Sequence, residues 1–327
     1  MTADLAAELL DRVPAAVDAV RPHVVRTPLL PLERPDGAAA VLVKCEHLQR
    51  TGSFKARGAI AKLSALGLEQ RERGVVAASS GNHGLGVAYA LQVLGGRGLV
   101  CVPENASPVK VAAIRRLGVE VRHLGEESGQ TETLTRAYAA EHGLAYVSPY
   151  NDLDVVSGQA TVGVELAEQA GHEGLDAVVV AVGGGGLVSG VAATVRAAHP
   201  GVRVIGASPV NDAAMAASVA AGHVVSVPAR PTVSDGTAGG IETKAVTLEL
   251  CRDLVDEWML VDERDIAAAM RLMIDTHHQL VEGAAGVALA AGLQVAGRRT
   301  GQRVAVVSCG ANIAADTLMS ALAGSFA

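Results

Sequence analysis

Ala177-Val178-Val179-Val180-Ala181-Val182-Gly183-Gly184-Gly185-Gly186-Leu187-Val188-Ser189-Gly190-Val191-Ala192-Ala193-Thr194-Val195 is an uncharged run of 19 residues, and its reading decides the fold. On length alone it qualifies as a membrane span. Four consecutive glycines at its centre and Gly190 after them argue against one spanning helix, since glycine is a poor residue for a helix interior. A β-branched strand, a glycine turn and a helix start explain it better. The same alternation recurs at Val41-Leu42-Val43, Val75-Val76-Ala77, Leu99-Val100-Cys101-Val102, Val119-Glu120-Val121, Val202-Arg203-Val204-Ile205 and Val304-Ala305-Val306-Val307. Short apolar runs separated by longer helical patterns are the signature of α/β architecture, with mostly parallel sheets and helices on both faces.

The 327 residues suit two domains with real cores. Half of them are hydrophobic, 19% are charged and 2% are aromatic, so the interior is aliphatic and disorder is excluded. A net charge of −7 and few aromatic residues leave neither cationic tracks nor stacking platforms, so no nucleic-acid partner is expected. The start, Met1-Thr2-Ala3-Asp4-Leu5, carries an acid where a secretory signal carries a base, and reads as a surface helix. Cys45, Cys101, Cys251 and Cys309 form no C-x-x-C pair, which suggests neither a disulfide framework nor a zinc site. The expectation is a reduced, cytoplasmic protein without a membrane segment.

Residues 74–147 hold several strand-helix units and end in Ser148-Pro149-Tyr150-Asn151-Asp152, a turn-rich crossing between domains. A second series starts at Asp176. Ser107 as N-cap, Pro108 at the first helical position and Gly118 past the end predict a helix between them. In open sheets of this kind ligands sit beyond the carboxyl ends of the strands.

Four polar or glycine-rich segments follow predicted strands there: Thr51-Gly52-Ser53-Phe54-Lys55-Ala56-Arg57-Gly58, Ser79-Ser80-Gly81-Asn82-His83-Gly84, Gly183 to Gly186, and Ser308-Cys309-Gly310-Ala311-Asn312. The four glycines before a helix start read either as a phosphate cradle of backbone amides or as a tightly packed turn. They are not a Walker loop, because no glycine in the chain precedes a lysine. A strict G-x-G-x-x-G is also missing there, which disfavours a dinucleotide. The chain has five lysines, and Lys55 lies between Phe54 and Ala56 at a predicted turn into a helix. Partial desolvation there would expose a neutral amine able to form a Schiff base; the alternative is an ordinary amphipathic surface lysine.

Lys44-Cys45-Glu46-His47-Leu48-Gln49-Arg50-Thr51-Gly52-Ser53-Phe54-Lys55-Ala56-Arg57-Gly58-Ala59 resembles the cofactor-lysine motif of the serine/threonine dehydratase and serine racemase family, pyridoxal-phosphate enzymes of the tryptophan-synthase β-like fold (fold-type II). The other three segments resemble that family's remaining motifs in the same order, and the similarity runs from about Arg26 to Asn312. It implies a large cofactor-binding domain from residues 1–73 and 148–327 and a small mobile domain from 74–147. Lys55 would hold pyridoxal 5'-phosphate as a Schiff base with Phe54 near the ring. Gly183, Gly184, Gly185, Gly186 and Leu187 would cradle the phosphate, Asn82 would bond the ring hydroxyl, and Glu282 resembles the family's acidic residue near the cofactor. Ser308 would face the pyridine nitrogen. A neutral hydroxyl does not hold a proton there as a carboxylate would, which favours β-elimination over long-lived carbanion chemistry. The loop Ser79, Ser80, Gly81, Asn82 and His83 would receive the substrate carboxylate.

The activity so implied is a dehydratase, or ammonia-lyase. It would convert a small threonine- or serine-like β-hydroxy amino acid, through an aminoacrylate-type enamine, to a 2-oxo acid and ammonia, with Lys55 as general base. Ser80 matches the second acid/base of the racemases, or binds the carboxylate alone; racemisation or β-replacement is therefore the alternative, and a non-catalytic phosphate-binding regulator is the alternative of another class. No divalent metal is expected, because Ser208 and Ala214 stand where cation-binding members place carboxylates, although Asp212 could serve a monovalent ion. Ala160 in Gly158-Gln159-Ala160-Thr161 departs from the family's glycine and is expected to tighten the cleft between domains. Glu242 reads as a solvated helix-start acid, His83 as a loop-positioning residue, and His277 and His278 as surface or packing residues on different helix faces. Nineteen residues after Ser308 are too few for a regulatory domain, and a homodimer is expected by analogy.

Overall fold

The computed structural model describes residues 2–33, 41–228, 230–298 and 301–325; Met1, with which the N-terminal reading begins, lies outside them. Among the described residues ten strands form two sheets: β1 (Leu29–Leu32), β2 (Val41–Lys44), β3 (Val75–Ala78), β4 (Gly98–Val102), β5 (Glu120–His123), β6 (Ala145–Tyr146), β7 (Ala177–Ala181), β8 (Arg203–Pro209), β9 (Glu257–Val261) and β10 (Val304–Val307). The six-stranded sheet runs β1-β2-β10-β7-β8-β9, parallel except for β1 against β2. The four-stranded sheet runs β5-β4-β3-β6, all parallel.

Central strands are buried on both faces, and their sequences show it. Every residue of β7 and β10 is buried, and Val304 of β10 pairs with Val41 on one side and Ala177 on the other. Aliphatic runs of this kind belong to parallel sheets covered by helices on both sides. Edge strand β5 (Glu-Val-Arg-His) instead alternates exposed with half-buried positions, and its charged residues blunt an edge open to pairing.

Ala177–Val195 divides as its glycines require, into β7, a turn and a helix Gly186–Ala198, and no described helix is long and apolar enough to cross a membrane. The helix expected between Ser107 and Gly118 spans Pro108–Arg115, but the Ser107 side chain makes no capping hydrogen bond. The N-terminal helix Thr2–Val20 is only partly a surface element: Leu9 is buried among Val156, Ala193 and Leu250. All four cysteines are free and buried.

Candidate active site

Strands β3, β7 and β10 end on one cavity of about 800 Å³. Phe54, Lys55, Ser79, Ser80, Gly81, Asn82, His83, Gly183, Gly184, Gly185, Gly186, Leu187 and Glu282 line it together. Ser308 does not; its neighbour Cys309 does.

Lys55 is the first residue of the helix Lys55–Ala65, so it sits where a turn leaves the sheet. That turn is stitched to the segment after β10: the Phe54 amide donates to the Cys309 carbonyl at 3.1 Å and the Ala311 amide to the Gly52 carbonyl at 2.9 Å. Gly52 needs φ +71°, and a Cβ there would lie 2.9 Å from Asn312 Oδ1. Lys55 Nζ donates to the Pro149 carbonyl at 2.9 Å and lies 5.2 Å from the Phe54 ring centre. Loss of solvation lowers its pKa to about 8, against the opposing pull of Cys309 and Glu282.

The tetraglycine turn is packed and also open to a ligand. A Cβ on Gly184 would stand 2.2 Å from the Tyr150 ring, one on Gly183 2.8 Å from the Thr237 carbonyl, and Gly185 adopts φ +85°. No side chain caps the Gly186–Ala198 helix, and among the described residues the amides of Gly184, Gly185, Gly186 and Leu187 meet no acceptor. Four such amides at a helix start, on residues that line a cavity, suit a phosphate dianion. Behind Cys309, the Ser308 hydroxyl is fully buried with no hydrogen-bond partner among the described residues. An orphaned hydroxyl of this kind needs a partner of its own. Both observations fit a group bearing a phosphate at one end and a ring acceptor at the other.

Glu282 is 2% exposed and accepts from Asn82 Nδ2 at 2.9 and 3.0 Å and from the Asn312 amide at 3.0 Å. Asn312 Nδ2 in turn donates to Asn82 Oδ1 at 2.6 Å. Burial pushes the Glu282 carboxyl up to about 7, with the Asn82 hydrogen bond pulling the other way. His83 is buried and its Nε2 donates to the Val147 carbonyl at 2.9 Å. Desolvation lowers its pKa to about 3, so the ring is neutral and tethers the loop.

Two sequence readings are corrected, those of Glu242 and Ala160, whereas His277 is half-buried and His278 exposed, as surface or packing residues are. Glu242 is neither solvated nor at a helix start: its carboxylate accepts from Ser148 Oγ at 3.2 Å and Asn151 Nδ2 at 2.8 Å and pairs with Arg136 at 2.6 Å. Ala160 packs against Gly190 between two helices of the six-stranded unit, where a Cβ on Gly190 would lie 2.6 Å from the Ala160 nitrogen, so it does not act at the cleft. His278 ends the helix Glu263–His277 at φ +55°, and His277 Nε2 accepts from the Glu33 amide at 3.2 Å. Asp212 accepts from the Gly239 amide at 2.8 Å.

Sequence reasoning missed the group beneath the lysine. Arg57, fully buried, binds Glu46 through Nε and Nη2, both at 2.8 Å, and Glu165 through Nη1 and Nη2 at 2.8 and 2.9 Å. Lys44 completes the group by donating to Glu165 at 2.6 Å and to the Thr27 carbonyl at 2.7 Å. Burial pushes the Glu46 carboxyl up, but the Arg57 charge and hydrogen bonds outweigh it and hold the pKa below the ordinary value. The only signal in the sequence was Lys44, Glu46 and Arg57 standing close to Lys55, which names no partner.

The model of the family described as "Pyridoxal-phosphate dependent enzyme" matches residues 20–310. A "Putative threonine dehydratase" of Sinorhizobium fredii is 39% identical over 93% of this chain and 92% of its own length. A "Phenylserine dehydratase" of Ralstonia pickettii is 41% identical over 86% of each. The structure of threonine deaminase isoform 2 from Solanum lycopersicum superposes with a TM-score of 0.92 at 30% identity, covering 97% of this chain and 89% of that one.

Proposed function

The chain belongs to the pyridoxal-phosphate dependent enzyme family, and on that premise we propose that it is a threonine dehydratase-like ammonia-lyase with Lys55 as its cofactor lysine. One observation carries the assignment of residues: the half-buried Lys55 amine shares a cavity with four backbone amides that meet no acceptor among the described residues. Gly184 to Leu187 would hold the cofactor phosphate, Phe54 would flank the ring and Ser308 Oγ would face its nitrogen. When bound, the cofactor draws electrons away from the substrate Cα.

The rest is chemistry of this chain's own groups. Amides of the Ser79–His83 loop, at the start of the helix Asn82–Leu94, receive the substrate carboxylate. Neutral Lys55 Nζ takes the Cα proton and returns it to the departing β-hydroxyl. The enamine that leaves hydrolyses to a 2-oxo acid and ammonia. Asn82, Glu282 and Asn312 fix the cavity wall. L-threonine is expected to yield 2-oxobutanoate and ammonia in equal amounts; a panel of β-hydroxy amino acids that releases no ammonia would refute this reading. Ser80 lines the same cavity and carries the alternative of racemisation, which appearance of the D-enantiomer in the same assay detects.

Lys55 must be neutral to capture the cofactor aldehyde. With its pKa near 8, about one tenth of it is neutral at pH 7, against fewer than about one in a thousand for an ordinary lysine. Covalent capture by apo-protein is therefore expected to rise roughly tenfold from pH 7 to pH 9 and then level off. Stopped-flow absorbance reads this directly, and a rate still climbing steeply past pH 9 would mean an unperturbed amine. Gly184→Ala drives a methyl into Tyr150; about 1–3 kcal/mol of overpacking is expected to weaken cofactor binding roughly 10- to 100-fold by equilibrium dialysis. Gly201→Ala, which meets nothing within 4 Å, is the control.

The four-stranded unit is proposed as the small, mobile domain of the division 1–73 with 148–327 and 74–147. Four buried free cysteines support a reducing, cytoplasmic location. A homodimer is proposed on family analogy, and sedimentation velocity tests it.

A further inference from the structure

Two ion pairs cross the mouth of the cavity from the four-stranded unit to the 235–243 segment, Lys110 with Asp235 at 3.0 Å and Arg136 with Glu242 at 2.6 Å. They differ in what lies behind them. Asp235 is well exposed and ends at its lysine. Glu242 continues inward: beyond its bonds from Ser148 and Asn151, its amide donates to the Tyr150 hydroxyl at 2.9 Å. One residue thus grips three of the four residues of the Ser148–Asn151 turn. Ser148 Oγ also accepts from the Asn151 amide at 3.0 Å, which closes the turn on itself. The fourth residue is Pro149, whose carbonyl accepts from Lys55 Nζ.

We propose that Glu242 is a positioning residue that couples closure of the four-stranded unit, through Arg136, to placement of the Lys55 amine, through the Ser148–Asn151 turn. The inference rests on Lys55 being the cofactor lysine. Arg136 lies on the helix Ser128–His142, so when that helix seats over the cavity it presses a guanidinium onto Glu242. The carboxylate is then held between Arg136, Ser148 and Asn151, and the Pro149 carbonyl is fixed where it receives the amine. With the four-stranded unit swung away, Glu242 loses its charged partner and the turn loses one side of its clamp. The amine is accordingly best aligned only when the cavity is closed over substrate, which keeps its proton transfers away from bulk water.

The test measures Glu242→Ala, Arg136→Met and their double variant for three properties: apo-protein melting, rate of covalent capture of added pyridoxal phosphate by absorbance, and kcat and KM for L-threonine. Each single variant is expected to lower capture rate and kcat by about tenfold with KM within about threefold, and the double variant is expected to be no worse than either, because both cut the same chain. Glu242→Gln keeps the hydrogen bonds to the turn and is expected to recover part of the capture rate, though not the pairing with Arg136. A Glu242→Ala effect confined to KM, or losses that multiply in the double variant, would overturn the coupling. If Glu242→Ala melts too early to assay, Ser148→Ala removes the bond to Glu242 together with the one that closes the turn, and must still slow capture. Lys55→Ala measured alongside separates the two readings. Covalent capture surviving in it defeats the assignment of Lys55, whereas capture lost there and unslowed in Glu242→Ala defeats this coupling alone.

Discussion

Lys55→Ala is expected to lower turnover by roughly 10⁴-fold or more and to abolish covalent attachment of the cofactor, while leaving a folded protein that still binds pyridoxal phosphate reversibly. The size follows from one amine serving twice, as the attachment point and as the base at Cα. Its environment is prepared for both. Burial brings the pKa to about 8, and the Pro149 carbonyl offers an acceptor for the ammonium form without a counter-charge that would lock it protonated. Reversible binding survives because the phosphate amides lie on a different element, the start of the Gly186–Ala198 helix. Little stability is at stake, since alanine removes a desolvated amine with a single hydrogen bond. Borohydride reduction followed by mass analysis reads attachment independently of turnover: the parent protein should gain the cofactor mass on the peptide containing residue 55, and the variant should not. A variant labelled elsewhere and still active would remove Lys55 from the chemistry.

What the sequence reveals here is what is local. The tetraglycine turn, the Ser79–His83 loop and Lys55 each announce themselves by residue type next to an apolar strand, and the fold brings all three to one cavity. Three strands went unread, β1, β6 and β9, and all three lie at sheet edges. An edge strand is covered on fewer sides, so it need not be continuously apolar: β1 carries Pro31, β6 is two residues long, and β9 opens on Glu257 and exposes Leu260. Glu242 was misread for a related reason. Its partners stand about 90 residues or more away in sequence, and a carboxylate after Gly-Gly-Ile carries no local sign that a guanidinium will be lowered onto it. Periodicity reports burial of apolar groups, whereas pairing of charges is set by the tertiary fold.

The buried group under the lysine is the strongest case of such pairing, and its disruption should be the largest stability effect in the molecule. Lys44, Glu46 and Arg57 are fully buried and Glu165 nearly so; two positive and two negative charges cancel. Arg57→Met leaves one carboxylate uncompensated in the interior, which costs about 3–5 kcal/mol even though the intact group need be no more stable than an apolar core of equal volume. The apo-protein melting temperature is expected to fall by roughly 10 °C. The pH dependence has a definite sign. With Arg57 gone, desolvation dominates and raises the Glu46 pKa above its ordinary value, so protonation relieves the buried charge and the gap to the parent protein narrows as pH falls. Glu46→Gln combined with Arg57→Met should recover part of the loss for the same reason, and Arg57→Lys should fall between, since one ammonium cannot bridge both carboxylates. A destabilisation below about 1 kcal/mol, or one independent of pH, would show that water reaches the Glu46 and Glu165 carboxylates freely. Function follows from geometry: Arg57 lies two residues past Lys55, on the opposite side of their helix, and its carbonyl stands 2.5 Å from where a Cβ on Gly158 would be. The guanidinium therefore sets how that helix is turned about its axis, and with it the direction in which the amine enters the cavity.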